Sequence, residues 1–165
     1  MEIKHAEYNS PGTPGKSGFE DLECYKAALE VMLAMHDFAK ALPREETYDL
    51  APQVRRSSKA ISANIAEGYG RYHYLDSLRF YSIARGELNE TLAHLINARV
   101  LGYINQERFE PIYFLIRKAE AILNGYMNYV RRCRTGHQEY GDRSIHEESS
   151  QYTFHEFSID RQDEK

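Results

Sequence analysis

Glu90 and His94 lie four positions apart, the spacing at which a carboxylate and an imidazole meet on one face of a helix. A di-iron centre in a helical bundle needs far more, four inward carboxylates with two Glu-x-x-His pairs. The body of the chain, residues 19–134, has no Glu-x-x-His. Glu90 and His94 therefore read as a local contact, and His36 as a satisfied core histidine. No metal and no cofactor is expected. Cys24 and Cys133 match no metal spacing and read as reduced thiols, the usual state of cysteine in a chain without an export signal. Gly68-Tyr69-Gly70 lacks the spacing and the Lys-Ser/Thr of a phosphate loop, and reads as a helix stop. No catalytic residue emerges, so the chain is not expected to be an enzyme.

Cations gather in three places: Arg55, Arg56 and Lys59; Arg71 with Tyr72, His73 and Tyr74; and Arg131, Arg132 and Arg134. Basic side chains with tyrosines among them are what a sequence-tolerant nucleic-acid contact requires. Whether any of these groups meet depends on the elements that carry them.

Those elements are helices throughout. Leu22, Tyr25, Leu29, Met32, His36 and Ala39 recur at steps of three and four, and Asp21 is placed to cap a first helix that Leu42-Pro43 ends. A second helix follows Asp49, with Pro52 in its first turn, an apolar line of Leu50, Val54, Ile61 and Ile65, and small residues elsewhere. Gly68 is its expected left-handed stop. A third opens at Asp76 and runs through Tyr81, Ala84, Leu88, Thr91, Leu95 and Ala98, widened by Leu78, Leu92 and Leu101, to Gly102. Asn105 caps a fourth, with Phe109, Ile112, Ile116, Ala119, Leu123, Tyr126 and Val130 as its seam. Short connections make consecutive helices antiparallel neighbours. The expected fold is all-α, an up-down-up-down four-helix bundle over 19–134. Residues 1–18, rich in Pro, Gly and Ser, read as disordered, and residues 135–165 as a mostly disordered acidic tail.

The 165 residues suffice for one core, and 42% of them are hydrophobic. No run of about 18 apolar residues exists to cross a membrane. The N-terminus lacks the apolar core of a signal peptide, so a cytoplasmic location is expected. The net charge of −4 divides unevenly, with −5 in residues 135–165 and +1 in residues 19–134.

QVRRSSKAISANIAEGYGR (53–71) and RFYSIARGELNETLAHL (79–95), with FEDLECYKAALEV (19–31) and LGYI (101–104), resemble the four helix bundle protein family. Its founding members are encoded in intervening sequences of bacterial large-subunit ribosomal RNA genes. The resemblance implies a four-helix bundle, a homopentameric ring and no catalytic activity. It also implies kinship with the accessory variability proteins of diversity-generating retroelements, which bind a reverse transcriptase and nucleic acid. The chain departs from the family at Tyr25, where Trp is common, and at Ser62, where Pro is common.

On this reading the C-terminal ends of helices two and four share one end of the bundle. Arg71, Tyr72, Arg131, Arg132 and Arg134 then form a candidate patch for RNA or DNA. Glu67 and Arg85 form a candidate structural ion pair, and Gly86 marks a close helix approach. Arg55 and Arg56, higher on helix two, are candidates for a subunit interface. In the tail, Tyr152, Phe154, Phe157 and Ile159 accompany the acids, and one reading docks this segment on the basic end. The expected function is that of an oligomeric binding scaffold or adaptor. The alternative is a nucleic-acid-binding accessory factor to a reverse transcriptase.

Overall fold

The structure, a computed structural model, describes residues 18–133. Four helices account for most of them: α1 (Glu23–Lys40), α2 (Leu50–Tyr69), α3 (Tyr74–Val100) and α4 (Gln106–Cys133). Single 3₁₀ turns, Phe19–Asp21 and Arg44–Tyr48, precede α1 and α2. No strand occurs among the described residues. Each helix packs on its neighbours in sequence, and α4 closes against α1. On α2 and α3, Ser57 lies level with Thr91 and Gly68 with Tyr81. On α3 and α4, Tyr81 meets Tyr126 and Arg85 meets Asn124. In both pairs of helices the numbering runs in opposite directions, so these neighbours are antiparallel, consistent with an up-down-up-down bundle.

The α3 seam is as the spacing predicts, since Tyr81, Ala84, Leu88, Thr91, Leu95 and Ala98 are all buried. Leu92 joins them, but Leu101 lies past the last turn and is 58% exposed. The α2 line of Leu50, Val54, Ile61 and Ile65 is buried, together with Ser57, Ser58 and Ser62, whose hydroxyls donate to carbonyls one turn back. On α4, Ile116, Ala119 and Leu123 are buried, while Phe109, Ile112, Tyr126 and Val130 pack on the core at its edge. Met127, absent from the expected seam, is fully buried.

The α1 seam differs from expectation. Its innermost side chains are Cys24, Ala28, Val31, Met35 and Phe38, not Leu29, Met32 and His36, which are half-buried. Both sets repeat at steps of three and four, so periodicity alone admits either face. The small Ala27, Ala28 and Ala39 let α1 approach its partners with this face.

Three of the four helix starts also differ from expectation. The Asp21 carboxylate accepts from the Gly18 amide at 3.1 Å within the 3₁₀ turn, and α1 starts two residues later with no side-chain cap. Glu46, not Asp49, accepts from the first amide of α2, Leu50 N–H, at 3.1 Å. His73, not Asp76, caps α3, its Nδ1 accepting from Leu75 N–H at 3.3 Å. Asn105 caps α4 as expected, accepting from Arg108 N–H at 3.0 Å. Gly102 is left-handed, with φ of 78°, and supplies the turn into α4. Gly68 is not left-handed; it is a buried residue within α2.

Candidate functional site

At the end of the bundle where α2 leads into α3, Arg71 is engaged within the chain. Its guanidinium pairs with Glu67 one turn back and lies over the Phe80 ring, 4.5 Å from the centroid. Its carbonyl accepts from the Ser77 hydroxyl at 3.2 Å. The expected Glu67–Arg85 pair is therefore replaced: Arg71 takes Glu67, and Arg85 donates across to Asn124 of α4 at 3.4 Å. The cause is proximity. Arg71 follows Glu67 by one turn, whereas Arg85 points to the α4 side of α3. Tyr72 is 61% exposed nearby.

The end of α4 reaches the same end of the bundle, because Tyr126 packs edge-on against Tyr81 at 5.3 Å. Arg131 donates to Asn128 at 2.9 Å, and Arg132 is exposed. Arg134 and the tail with its aromatic cluster lie outside the described residues. Arg71 and Arg131 thus spend part of their hydrogen-bonding capacity within the chain.

The outer flank of α2 is different. Arg56 has only a long contact to Glu90, at 3.8 Å, and Glu90 also approaches His94 at 3.5 Å. The expected approach of Glu90 to His94 is thus present, with Arg56 added from the neighbouring helix, but no hydrogen bond forms, and His94 Nε2 is buried without a hydrogen-bond partner. Glu87, beside them, is pushed above the usual carboxylate range by burial and by the charge of Glu90, against the pull of Arg56. Pro52, Arg55, Arg56, Lys59, Ala60 and Ala63 line a shallow depression, and Arg55 also borders a second one with Lys40, Pro43, Thr47 and Ala51. His36 of α1 is held below the usual imidazole range by burial first, then by Lys59, Arg55 and Lys40, with the Arg55 backbone opposing. Its Nε2 is buried without a close hydrogen-bond partner, and the Arg55 backbone is the polar group that acts on the ring, so the satisfied core histidine expected is met only in part.

Inside the bundle, the close approach falls at Gly68 rather than Gly86. A Cβ on Gly68 would lie 2.5 Å from the Tyr81 ring, whereas one on Gly86 would meet nothing within 4 Å. Gly86 faces outward, so no helix packs on it within the subunit. Around Tyr81 gather Tyr126 and Cys24, all with raised pKa; burial is the first cause in each case, and it pushes the Cys24 thiol up to about 11. Composition marked none of this cluster, since buried Tyr and Cys look like ordinary core residues. Among the described residues no group of three His, Cys, Asp or Glu could hold a metal ion. No helix among them is long and apolar enough to cross a membrane.

Four long helices closed around one apolar core, with charge confined to their outer faces, define a helical-bundle protein. A family model described as 23S rRNA-intervening sequence protein matches residues 20–125, and the chain belongs to that family. It is also similar to the crystal structure of a protein of unknown function from the S23 ribosomal protein family of Bacteroides thetaiotaomicron. The two share 26% identity with a TM-score of 0.59, over 63% of this chain and 97% of that one. Among curated proteins none matches the chain.

Proposed function

We propose that this protein is a non-enzymatic, cytoplasmic scaffold that acts by binding, first to copies of itself and then to a macromolecular partner. The observation that carries this reading is the outer surface of α3 and α4. Ile83, Ile96, Phe114 and Tyr129 are 41%, 40%, 64% and 55% exposed there. Gly86 and Gly125 interrupt the same helices at positions where a Cβ would meet nothing within 4 Å. Helix-interior glycine costs about 1 kcal/mol relative to Ala, and nothing inside the subunit calls for it. A neighbouring subunit laid on this surface would use both the glycines and the apolar side chains. Family membership supports a ring of five. Light scattering at micromolar concentration tests it: the expected mass is a multiple of 19.2 kDa, reduced by Ile96→Glu with Phe114→Glu, and a monomeric wild type rejects self-assembly.

The second reading, a nucleic-acid-binding accessory factor to a reverse transcriptase, is favoured by the cations on the α2 flank. Co-purification with a reverse transcriptase encoded beside the gene would support it.

A further inference from the structure

We propose that the outer flank of α2, with Arg55 and Lys59 at its centre and Arg56 and Lys40 at its margins, is a binding site for the phosphodiester backbone of a nucleic acid. This rests on the scaffold reading above, names its partner class and places the contact on the α2 flank.

Pairing comes first. Arg71 is neutralised by Glu67, and Lys40 by Asp37 at 3.0 Å. Arg56 reaches a carboxylate only at 3.8 Å, with three-quarters of its side chain exposed. Arg55 and Lys59 have no ion pair among the described residues. Arg55 and Lys59 thus stand as two unpaired cations one helical turn apart on α2; Arg131 and Arg132 at the bundle end have no ion pair among the described residues either, but the α2 cations also line a depression.

Shape comes second. Arg55 lines both depressions, the one with Lys40 and Pro43 and the one with Lys59 and Ala63, and the two are together termed the trough. Its floor of Ala60 and Ala63 is small and shallow. It offers no pocket for the aromatic anchor that a protein partner would use, but it lets a sugar-phosphate chain approach the helix. Residues one turn apart stand about 5–6 Å from each other, close to the spacing of successive phosphates along a strand. With no aromatic in the trough, recognition is by charge, so it is tolerant of sequence.

Third, the same cations bear on His36 of α1: burial is the first cause that lowers its pKa, and Lys59, Arg55 and Lys40 add to it.

The probe is a fluorescein-labelled single-stranded RNA of about 20 nucleotides, longer than a typical single-strand site, with a duplex of the same sequence beside it. Full-length protein is titrated by anisotropy at several salt concentrations. Arg55→Glu with Lys59→Glu is expected to weaken binding at least tenfold. Arg55→Gln with Lys59→Gln should reduce the salt slope by about 1.4–1.8, two cations at about 0.7–0.9 each. Arg55→Lys with Lys59→Arg should bind as wild type does. Arg71→Glu with Arg132→Glu should cost less than the trough reversal. Circular dichroism and light scattering accompany each variant. Four results overturn the proposal: no binding by wild type at low salt; greater loss from the bundle-end variant than from the trough variant; displacement of RNA by a stoichiometric peptide of residues 150–165, which would make an acidic segment the occupant; or loss of assembly in the trough variant, which would make Arg55 and Arg56 subunit-interface residues. Because assembly is read separately, a scaffold that binds no RNA and a monomer that does are distinguishable results.

Discussion

Gly68 and Gly86 show how differently one residue type behaves at two places. Tyr81, 1% exposed and held edge-on by Tyr126, occupies the space where a Cβ of Gly68 would go. Gly68→Ala should therefore destabilise by about 1–3 kcal/mol, the range for an overpacked core. Gly86→Ala should stabilise the isolated subunit by up to about 1 kcal/mol, from helix propensity alone. Urea unfolding of both variants checks the pair, and loss of stability in Gly86→Ala would point to a contact from another subunit. The two thiols differ as sharply. Cys24 is 3% exposed with its pKa near 11, and Cys133 is exposed. At pH 8 a disulfide reagent should titrate one thiol per chain quickly and the second only on unfolding. His36 adds a pH dependence. Its folded pKa lies below the unfolded value, so its contribution is full above about 6.5 and is lost as pH falls toward the folded value. Melting temperature should decline from pH 7 to pH 5, and His36→Gln should flatten that decline.

At the scale of the element, α1 is the informative case. Its sequence carries two apolar stripes with the same period, and the partners of the helix decide which one goes inside. Met35 is fully buried, while Met32, one turn earlier, is half-buried. Met35→Ala should cost about 2–5 kcal/mol as a buried large-to-small change, and Met32→Ala less than about 1 kcal/mol. Equal costs in denaturant titrations would restore the stripe that spacing alone suggests. On α3 the stripe that spacing suggests, from Tyr81 through Leu88 to Ala98, is the buried one, while Ile83 and Ile96 lie outside it and stay exposed. Helix starts were legible only to within a turn. Several acceptors compete for the first amides, and the winner depends on the preceding 3₁₀ turn: Glu46 reaches Leu50 N–H because the turn Arg44–Tyr48 folds back over the helix start. Thr91 and Ser57 satisfy each other across α2 and α3 at 3.0 Å. That buried bond exists only once the two helices are in register.

For the whole molecule, charge is the organising quantity. The helical body carries +1 and residues 135–165 carry −5. A polyanion approaching the body works against the field of those acids, which is screened beyond about 8–10 Å at physiological salt. Removing residues 136–165 should tighten RNA binding at low salt, with the gain shrinking as salt rises. Anisotropy on wild type and truncation, with a third chain in which Tyr152, Phe154, Phe157 and Ile159 are scrambled, separates charge from docking. A gain that persists at high salt and also appears in the scramble would mean that the aromatic cluster, not net charge, sets the effect.

The number of helices, their limits to within a turn, the α2 and α3 core lines and the family were legible in the amino-acid order, because apolar period, Pro43, Gly102 and Asn105 act through neighbours along the chain. Tertiary structure decided which α1 stripe is buried, that Gly68 rather than Gly86 makes the close approach, and that Arg71 takes Glu67 while Arg55 and Lys59 stand without an ion pair among the described residues. Each of these turns on which side chains meet across helices. Steric fit and Coulomb attraction act over a few ångströms of space, and spacing along one strand of sequence does not encode that distance.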